Sequence, residues 1–333
     1  MKIVVFEAEP WEADYFRDHV RDHELWFEEG PVSAEAAERH SDAEVLSTFI
    51  YSRLGKEVLN RFKNLQLIAT RSTGFDHVDE ATCKERGIAV ANVPSYGENT
   101  VAEHVFALLL SISHNIIEAV DRTRKGDFSQ KGLQGFDLQG KTIGIIGTGS
   151  IGRRTAQIAR GFSMTVLAAD PDPDPNWARQ HEVSYVELDE LLPNADVISL
   201  HVPGGPATKD LLGEAEFEKV KQGAVLINTA RGSIVNIHAM LRALADGRLQ
   251  AAGLDVLPEE PTVREEAELL RSIFARTHDL ETLLADHVLL RMRNVITTPH
   301  SAFNTREAVE RILETTCSNI RAFAAGKPDN IVA

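Results

Sequence analysis

The sequence predicts an α/β protein with two domains, each built on a parallel sheet. Three observations lead to this prediction. Short apolar runs alternate with helical segments over residues 1–100, the same alternation starts again at Lys141, and a glycine-rich turn follows the first strand of the second series. Strands that alternate with helices form parallel sheets covered on both faces. A chain of 333 residues is also longer than a single core of ordinary size requires.

The first series supplies four predicted strands. They are the apolar runs KIVVF, AEVLSTFI, LQLIAT and IAVANV, and helical segments such as KEVLNRF stand between them. Short apolar strands of this kind are typical of a parallel sheet that is buried on both faces. The series therefore predicts a complete small α/β unit, which has no glycine-rich phosphate turn of its own.

A long helix and a second α/β series follow. Apolar residues from Val101 to Ile112 recur on one face and predict one helix that runs from about residue 100 to Gly126. The second series gives six strands with helices between them, which is the number expected of a full dinucleotide-binding sheet. Residues 305–326 predict one last amphipathic helix that ends at Gly326. The predicted strands of the second series are KTIGIIG, TVLAAD, DVISLHVP, AVLINTA, AAGLDV and NVITTP.

The glycine-rich turn predicts a dinucleotide site. It spells G-x-G-x-x-G, follows the apolar strand TIGII, and opens a helix whose positive end can face a pyrophosphate. Asp170 ends the next strand, 18 residues after Gly152, where a carboxylate accepts hydrogen bonds from ribose hydroxyls and repels a 2′-phosphate. No arginine follows Asp170 directly, so the sequence predicts NAD rather than NADP. The contacts predicted for the turn are Gly147, Thr148, Gly149, Ser150, Ile151 and Gly152.

Charge and cysteine content narrow the possible partners. A net charge of −15 disfavours nucleic acid and anionic membranes, which bind clustered cations. Cys83 and Cys317 have neither metal-ligand spacing nor a C-x-x-C arrangement, so we expect reduced thiols and no bound metal. The N-terminus runs directly into a strand, and no segment has the length and apolarity of a signal peptide or a membrane span. These observations predict a cytoplasmic protein.

Three polar side chains follow strands of the second series. Arg231 stands in INTARGSIV, Glu260 in GLDVLPEEP and His300 in ITTPHSAF. Ligands bind at the carboxyl edge of an open parallel sheet, so we expect these side chains on the same rim as the glycine turn. Hydride transfer to an oxo acid needs a cation for the carboxylate and carbonyl, and a group that exchanges a proton with the oxygen. Glu259 is an alternative to Glu260 as the carboxylate that pairs with His300.

The motifs GTGSIG, HVP, INTARG, GLDV…EEP and TPHSA occur in this order, and with them the chain resembles the D-2-hydroxyacid dehydrogenase family over nearly its whole length. The resemblance implies that Arg231 binds the substrate carboxylate and carbonyl, and that His300 is the general acid and base. It implies Glu260 as the partner of His300, because the spacing of 29 residues from Arg231 matches the family. It assigns the nicotinamide carboxamide to Asp255. Further cofactor contacts that it implies are His201, Val202, Pro203, Thr229 and Ala230.

The family resemblance also implies the order of the domains along the chain. Residues 1–100 and 300–333 would form a discontinuous, flavodoxin-like substrate domain, and residues 101–299 an inserted, Rossmann-like NAD-binding domain. A deep cleft between these domains would hold the active site, and its closure would expel water. The family further implies a homodimer with the long helix after residue 100 at the interface. We expect His104, on that helix, to serve in packing rather than as a second acid.

The D-lactate dehydrogenase branch is the nearest resemblance within the family. In RSTGFDHVD, the turn Ser72-Thr73-Gly74 resembles a loop whose backbone N–H groups bind the substrate carboxylate, and Gly74 permits close approach of the backbone. Tyr96 resembles a residue that contacts substrate in that branch. We therefore expect a small 2-oxo acid as substrate, with reduction of pyruvate to D-lactate as the favoured reaction.

One position departs from the D-lactate dehydrogenase pattern. That branch usually has two aromatic residues after the histidine motif, whereas here Phe303, a predicted substrate contact, is followed by Asn304. Asn304 either opens the pocket to a larger or more polar 2-oxo acid or caps the last helix. The alternative functions are a hydroxypyruvate or glyoxylate reductase, another dehydrogenase of the family, and an NAD-sensing binding protein. Residues 262–292 predict a helical elaboration at the surface, without an assigned function.

Overall fold

The computed structural model describes residues 1–258 and 280–333, and the chain divides into two compact units. The first unit comprises Met1–Tyr96 and Asn304–Ala333, and the second comprises Gly97–Phe303. Each unit is an α/β structure with a parallel sheet, which confirms the predicted fold class. The two junctions lie four residues from those expected near 100 and 300. The division into a substrate domain and a cofactor domain stays a prediction.

The first unit contains a five-stranded parallel sheet in the order β2-β1-β3-β4-β5. This is the strand order of flavodoxin-like sheets. The strand β2 was not predicted, because its sequence ELWFE is charged at both ends and the strand lies at the edge of the sheet, half exposed. The elements are β1 (Lys2–Phe6), α1 (Pro10–His19), β2 (Glu24–Glu28), α2 (Ala34–Arg39), β3 (Val45–Thr48), α3 (Lys56–Leu59), β4 (Leu67–Thr70), α4 (Glu80–Arg86) and β5 (Ala89–Ala91).

The second unit contains a seven-stranded parallel sheet in the order β12-β11-β10-β9-β6-β7-β8. Its elements are α5 (Glu98–Ser113), α6 (Ile116–Arg124), β6 (Thr142–Ile146), α7 (Ser150–Gly161), β7 (Thr165–Ala169), α8 (Pro175–His181), β8 (Val183–Tyr185), α9 (Leu188–Asn194), β9 (Val197–Leu200), α10 (Glu214–Lys219), β10 (Ala224–Asn228), a 3-10 turn (Gly232–Ile234), α11 (Ile237–Ala245), β11 (Leu249–Leu254), α12 (Leu280–Leu289) and β12 (Val295–Thr297). The short edge strand β8 adds a seventh strand to the six that the sequence predicts.

The predicted single helix from about residue 100 to Gly126 is wrong, because the chain breaks between α5 and α6 and bends by 61°. Asn115 at the break has a left-handed backbone, with φ of 52°. The carbonyl of Ser113, which a continuous helix would use internally, accepts the N–H of Phe136 at 2.9 Å instead. A Cβ on Gly135 would lie 1.8 Å from that carbonyl oxygen, so only glycine allows this approach.

The last helix, α13 (Arg306–Ala324), returns to the first unit and packs against α1 and β4. Its buried face includes Val309, Ile312, Leu313 and Ile320, so the predicted amphipathic helix is confirmed. The residues that follow form an antiparallel bridge between Ile331 and Ala91 of β5. The predicted helical elaboration at 262–292 lies in part outside the described residues. Its later portion contains α12 and the start of the loop to β12.

No single helix in the described ranges has the length and apolarity needed to cross a membrane, and only the bent pair α5 and α6 meets those two criteria when taken together.

Candidate active site

The predicted residues of the second unit leave the sheet at one edge. All seven strands are parallel, so their carboxyl ends lie on the same side. The predicted catalytic residues follow the strands at the β12 side of the sheet, and the predicted nucleotide-binding residues follow the strands at the β7 side. With about 4.8 Å between neighbouring strands, the backbones that carry Arg231 and His300 start on the order of 10 Å apart. The segments that leave this edge carry, in spatial order, His300, Asp255, Arg231, His201, Gly147 and Asp170.

Close backbone packing explains two of the three glycines. Gly147 follows β6 with φ of 95°, and a Cβ on it would lie 2.7 Å from the carbonyl oxygen of His201. A Cβ on Gly152 would lie 2.0 Å from the carbonyl oxygen of Gly147. Both positions therefore require glycine, the first for the turn and the second for the packing of α7 against it.

The middle glycine faces open space. Gly149 is the N-cap of α7, and a Cβ on it would meet nothing within 4 Å. The first turn of α7 contains no acidic residue. Its backbone N–H groups and the positive end of the helix dipole can therefore bind an anion without competition from a carboxylate of that turn. The residues present therefore fit the pyrophosphate of NAD.

Asp170 is held rigidly at the end of β7. One carboxylate oxygen accepts hydrogen bonds from the Thr148 backbone N–H at 2.6 Å and from the Thr148 hydroxyl at 2.9 Å, and the other accepts the N–H of Asp172 at 2.9 Å. Burial opposes ionisation, but these hydrogen bonds and the charge of Arg153 outweigh it and lower the pKa of Asp170. The carboxylate is thus ionised and fixed, as a ribose acceptor that rejects a 2′-phosphate must be.

Sequence reasoning missed the groups around Asp170. Tyr185, at the end of β8, places its hydroxyl 2.8 Å from that of Thr148. Arg153, in the first turns of α7, donates to the carbonyl of Thr148 at 2.9 Å and to Asp174 at 3.1 Å. The position of Arg153 directly after the third glycine was the available signal, since side chains there face the turn. The contribution of Tyr185 carried no such signal, because β8 itself was not predicted.

The segment His201-Val202-Pro203 leaves β9 and packs against the glycine turn. The N–H of His201 donates to the carbonyl of Ile146 at 2.7 Å and so continues the pairing of β9 with β6. The imidazole Nε2 lies 2.9 Å from the Ser199 hydroxyl. Desolvation by burial lowers the pKa of His201 to about 3, so its imidazole is neutral at physiological pH. The segment therefore supplies an uncharged wall beside the turn.

The turn after β10 presents Arg231. Asn228 closes this turn by accepting the N–H of Ala230 at 3.0 Å and donating to the carbonyl of Arg231 at 3.0 Å. The Arg231 guanidinium donates to the carbonyl of Ala230 at 2.8 Å. The hydroxyl of Thr229 is buried without a hydrogen-bond partner among the described residues. Such a polar atom at the nicotinamide end of the predicted site leaves a hydrogen bond for a ligand to satisfy.

Two glycines bring other loops against the Arg231 turn. A Cβ on Gly204 would lie 2.9 Å from Cγ of Arg231, and a Cβ on Gly232 would lie 2.3 Å from the backbone carbon of Leu257. The loop that follows β11 therefore passes directly beside the Arg231 turn. This loop leads to Glu259 and the predicted catalytic residue Glu260, both of which lie outside the described residues.

Asp255 organises the loop that carries His300. Its carboxylate is 1% exposed and accepts hydrogen bonds from the N–H groups of Ser301 at 2.9 Å and Ala302 at 2.8 Å, and from the Thr298 hydroxyl. Since the Thr298 hydroxyl hydrogen points to Asp255, His104 Nε2, 3.1 Å away, must donate to Thr298. His104 therefore supports this loop in addition to packing on α5.

The backbone of His300 lies in the left-handed region, with φ of 51°. A histidine there costs on the order of 1 kcal/mol relative to an ordinary conformation. The N–H of His300 donates to the carbonyl of Thr298 at 2.9 Å, and the next two residues are held by Asp255. The loop is thus determined on both sides of His300, which fixes the direction in which the imidazole leaves the chain.

In the first unit, the predicted carboxylate loop follows β4. The Ser72 hydroxyl donates to the carbonyl of Gly74 at 2.6 Å, and the Thr73 hydroxyl donates to the carbonyl of Val93 at 2.7 Å. Asn92 donates to the carbonyl of Thr73 at 2.8 Å. In the part of the chain that the structure describes, the N–H groups of Thr73 and Gly74 make no hydrogen bond. The side chains therefore shape the loop, and two backbone donors remain available.

The remaining predicted substrate contacts lie at the two positions in the sequence where the chain passes from one unit to the other. Tyr96 ends the first stretch of unit one, and its carbonyl accepts a hydrogen bond from Arg311 of α13 at 2.7 Å. Phe303 is the last residue of the second unit. Thr305 is the N-cap of α13, and its hydroxyl accepts the N–H of Ala308. The alternative that Asn304 caps this helix is therefore wrong.

A family model and a relative match this chain over much or all of its length. The model for "D-isomer specific 2-hydroxyacid dehydrogenase, NAD binding domain" matches residues 106–302. The D-lactate dehydrogenase of Escherichia coli (strain K12) is 34% identical, with 100% of each chain covered.

A second relative and one solved structure extend the comparison. The glyoxylate reductase of Thermococcus litoralis is 33% identical over 93% of this chain and 89% of its own. The crystal structure of D-lactate dehydrogenase from Aquifex aeolicus, complexed with NAD and lactic acid, has a TM-score of 0.85 and 35% identity, and covers 98% of this chain and 96% of that one. The chain belongs to the D-isomer specific 2-hydroxyacid dehydrogenase family and is an NAD-dependent oxidoreductase that acts on 2-hydroxy acids.

Proposed function

We propose that this protein is a D-lactate dehydrogenase that reduces pyruvate, or a closely related 2-oxo acid, with NADH. The observation that carries the proposal is the order of side chains along the sheet edge, with Arg231 and His300 on opposite sides of Asp255 and the glycine turn beyond them. Relatives named D-lactate dehydrogenase match the chain over its full length, which supports this substrate.

The cofactor assignment follows the same edge. The glycine turn and the N-terminus of α7 hold the pyrophosphate of NADH, and Asp170 accepts hydrogen bonds from the adenosine ribose. His201, Val202 and Pro203 line the nucleotide. Bound there, NADH supplies the hydride that reduces the substrate carbonyl. The groups assigned to the nicotinamide end are Thr229, Ala230 and Asp255.

Arg231 is assigned to the substrate carboxylate and carbonyl. A guanidinium presents several N–H donors in one plane, so one side chain can bind a carboxylate oxygen and polarise the neighbouring carbonyl. In the first unit, the N–H groups of Thr73 and Gly74 are proposed as further donors to the carboxylate, with Ser72 shaping the loop. Tyr96 and Phe303 are proposed to contact the rest of the substrate.

His300 is assigned to proton exchange with the substrate oxygen. During reduction, the imidazolium donates its proton to the carbonyl oxygen as the carbonyl carbon accepts the hydride, which gives D-lactate and NAD. In the reverse direction the neutral imidazole accepts the hydroxyl proton. Glu260 is proposed as the carboxylate that pairs with the imidazole. Asp255 contributes by holding the backbone of the His300 loop.

A glyoxylate or hydroxypyruvate reductase is the second candidate. The glyoxylate reductase of Thermococcus litoralis is nearly as similar as the D-lactate dehydrogenases, which favours this alternative on the same grounds. Asn304, which is exposed and does not cap α13, favours a polar 2-oxo acid if its side chain borders the substrate.

A substrate panel with NADH tests the proposal. We expect the highest kcat/KM with pyruvate among pyruvate, glyoxylate and hydroxypyruvate, and we expect the product of pyruvate reduction to be the D isomer by chiral chromatography. A higher kcat/KM with glyoxylate or hydroxypyruvate would reject D-lactate dehydrogenase in favour of the second candidate. Binding of NADH without turnover of any acid would instead indicate a sensor of NAD.

The proposal includes a homodimer in the cytoplasm. Helix α6 has no buried residue, and its apolar residues Ile116, Ile117 and Val120 are all exposed in the single chain. An apolar helix face of this kind is typical of a subunit interface. Cys83 and Cys317 are buried free thiols, which suit a reducing compartment.

A further inference from the structure

An arginine lies close to the carboxylate that is assigned to the adenosine ribose. Arg153 donates from Nε to the carbonyl of Thr148, and Asp170 accepts the N–H of the same residue. The charge of Arg153 is among the causes that lower the pKa of Asp170. An arginine beside the adenosine ribose is the feature that lets related folds accept a 2′-phosphate. The chain therefore contains the cation that NADPH binding requires, although the sequence after Asp170 does not show it.

The guanidinium of Arg153 is hydrogen-bonded to a carboxylate other than that of Asp170. Its Nη1 donates to Asp174 at 3.1 Å, and its guanidinium carbon lies 5.0 Å from the centroid of the Trp177 ring. Asp174 is itself fixed as the N-cap of α8, because its other oxygen accepts the N–H groups of Asn176 at 3.1 Å and Trp177 at 3.0 Å. The hydrogen bond from the Trp177 backbone, with a further contribution from Arg153, lowers the pKa of Asp174, so it is ionised. The guanidinium is thus held between a fixed anion and an aromatic ring.

A chain of hydroxyl groups fixes Asp170 as well. The ionised Asp170 only accepts hydrogen bonds, so the Thr148 hydroxyl donates to it and Tyr185 must donate to Thr148. Thr148 is 4% exposed, so water does not compete for this contact. Asp170 consequently cannot turn away to make room for a 2′-phosphate, and Arg153 cannot leave Asp174 without losing a charge-assisted hydrogen bond.

We propose that the Arg153–Asp174 pair is a second determinant of cofactor choice, in addition to Asp170. Asp170 repels the 2′-phosphate, and Asp174 keeps Arg153 from binding it. The side chains of Arg153 and Asp174 are 35% and 38% exposed, so a phosphate in solution has access to the pair. This inference rests on the proposed assignment of Asp170 to the ribose and is independent of which 2-oxo acid the enzyme reduces. If the pair has this role, removal of Asp170 alone should give a much smaller gain in NADPH affinity than removal of Asp170 together with the charge of Asp174.

Equilibrium binding of NADH and NADPH by isothermal titration calorimetry tests this pair without catalysis. The variants are Asp170→Ala, Asp174→Asn, the double variant, and the double variant with Arg153→Met. Asparagine at 174 keeps an N-cap oxygen but removes the charge that holds Arg153. We expect Asp170→Ala to raise NADPH affinity, and the double variant to gain about a further tenfold, the effect of one charge-assisted hydrogen bond to phosphate. Arg153→Met should cancel that further gain.

Asp172→Asn is the matched control, because it removes an equal charge two residues from Asp174 without releasing Arg153. Added to Asp170→Ala, it should give a smaller gain in NADPH affinity than Asp174→Asn does. Circular dichroism verifies that each variant is folded. A double variant that binds NADPH no better than Asp170→Ala, or a gain that survives Arg153→Met, would overturn the role of the pair. An unchanged NADPH affinity in Asp170→Ala would instead overturn the ribose assignment from which the inference starts.

Discussion

At the scale of single residues, His300 has a left-handed backbone conformation within a loop that hydrogen bonds hold on both sides. Its left-handed conformation is maintained by the contacts of Asp255 with Ser301 and Ala302, so a substitution at 300 removes the imidazole without releasing the loop. We expect His300→Ala to lower kcat for pyruvate reduction by roughly 10²–10⁴, because a positioned acid contributes that much to such a step. Steady-state kinetics measure this, and unchanged NADH binding is the control. Turnover close to that of the wild type would remove His300 from the proposed role.

Arg231 is expected to act in binding and rate together. Arg231→Ala should raise KM for pyruvate and lower kcat, since one guanidinium is assigned to both carboxylate and carbonyl. Arg231→Lys keeps the charge but not the planar set of donors, so it should recover only a small part of the loss. The comparison of kcat and KM for the two variants checks this prediction. If lysine restores both constants fully, charge alone is sufficient and the two-point contact is wrong.

The residues predicted from the sequence are those with local motifs, whereas their supporting partners were not predicted. The glycine turn and Asp170 were predicted from spacing and strand ends, and the residues of HVP from the family resemblance. Tyr185 stands 37 residues from Thr148, and His104 stands 194 residues from Thr298. Neither contact can be read from a periodicity, because both depend on how the strands are ordered in the sheet.

At the scale of elements, apolar runs predicted the central strands, and the errors fell on edges and breaks. Strand β8 has three residues, and β2 has only three apolar residues between two glutamates, so neither forms an apolar run of the length that indicates a buried strand. The break between α5 and α6 was missed because apolar residues continue across it. Its cause is the contact of Ser113 with Gly135 and Phe136, which lie more than 20 positions further along the chain.

The segment after β4 contains a histidine that should make the first unit sensitive to acid. Burial lowers the pKa of His77 to about 4, and its Nε2 is buried without a hydrogen-bond partner in the described structure. The unfolded chain, with its ordinary pKa near 6.5, binds a proton that the folded unit does not. Stability is therefore lost as the pH falls from 6.5 to 4, by up to about 3 kcal/mol.

His77→Gln removes this titration. Its free energy of unfolding should fall less steeply than that of the wild type over the same pH range, as measured by urea unfolding with circular dichroism at several pH values. His19→Gln, which removes an exposed histidine of the same unit, is the control for the substitution. Parallel curves for the wild type and His77→Gln between pH 6.5 and 4 would show that His77 is not the group responsible.

At the scale of the whole molecule, the proposed dimer depends on the exposed face of α6. Ile117 is 58% exposed and Val120 is 42% exposed in the single chain, although both are apolar. If α6 packs against the same helix of a second copy, a charge introduced at either position becomes buried in both subunits. The free-energy cost of burying that charge then applies twice, because the interface is symmetric. Ile117→Glu should therefore weaken dimerisation by a factor of about 100 or more.

Light scattering after size-exclusion chromatography, over a range of concentrations, measures the change. Val288→Glu on α12 is the matched control, because Val288 is 46% exposed on a different helix of the same unit. We expect the wild type and Val288→Glu to elute with twice the mass of one chain, and Ile117→Glu to elute with the mass of one. A monomeric wild type would reject the homodimer. A dimeric Ile117→Glu would retain the dimer but exclude α6 from its interface.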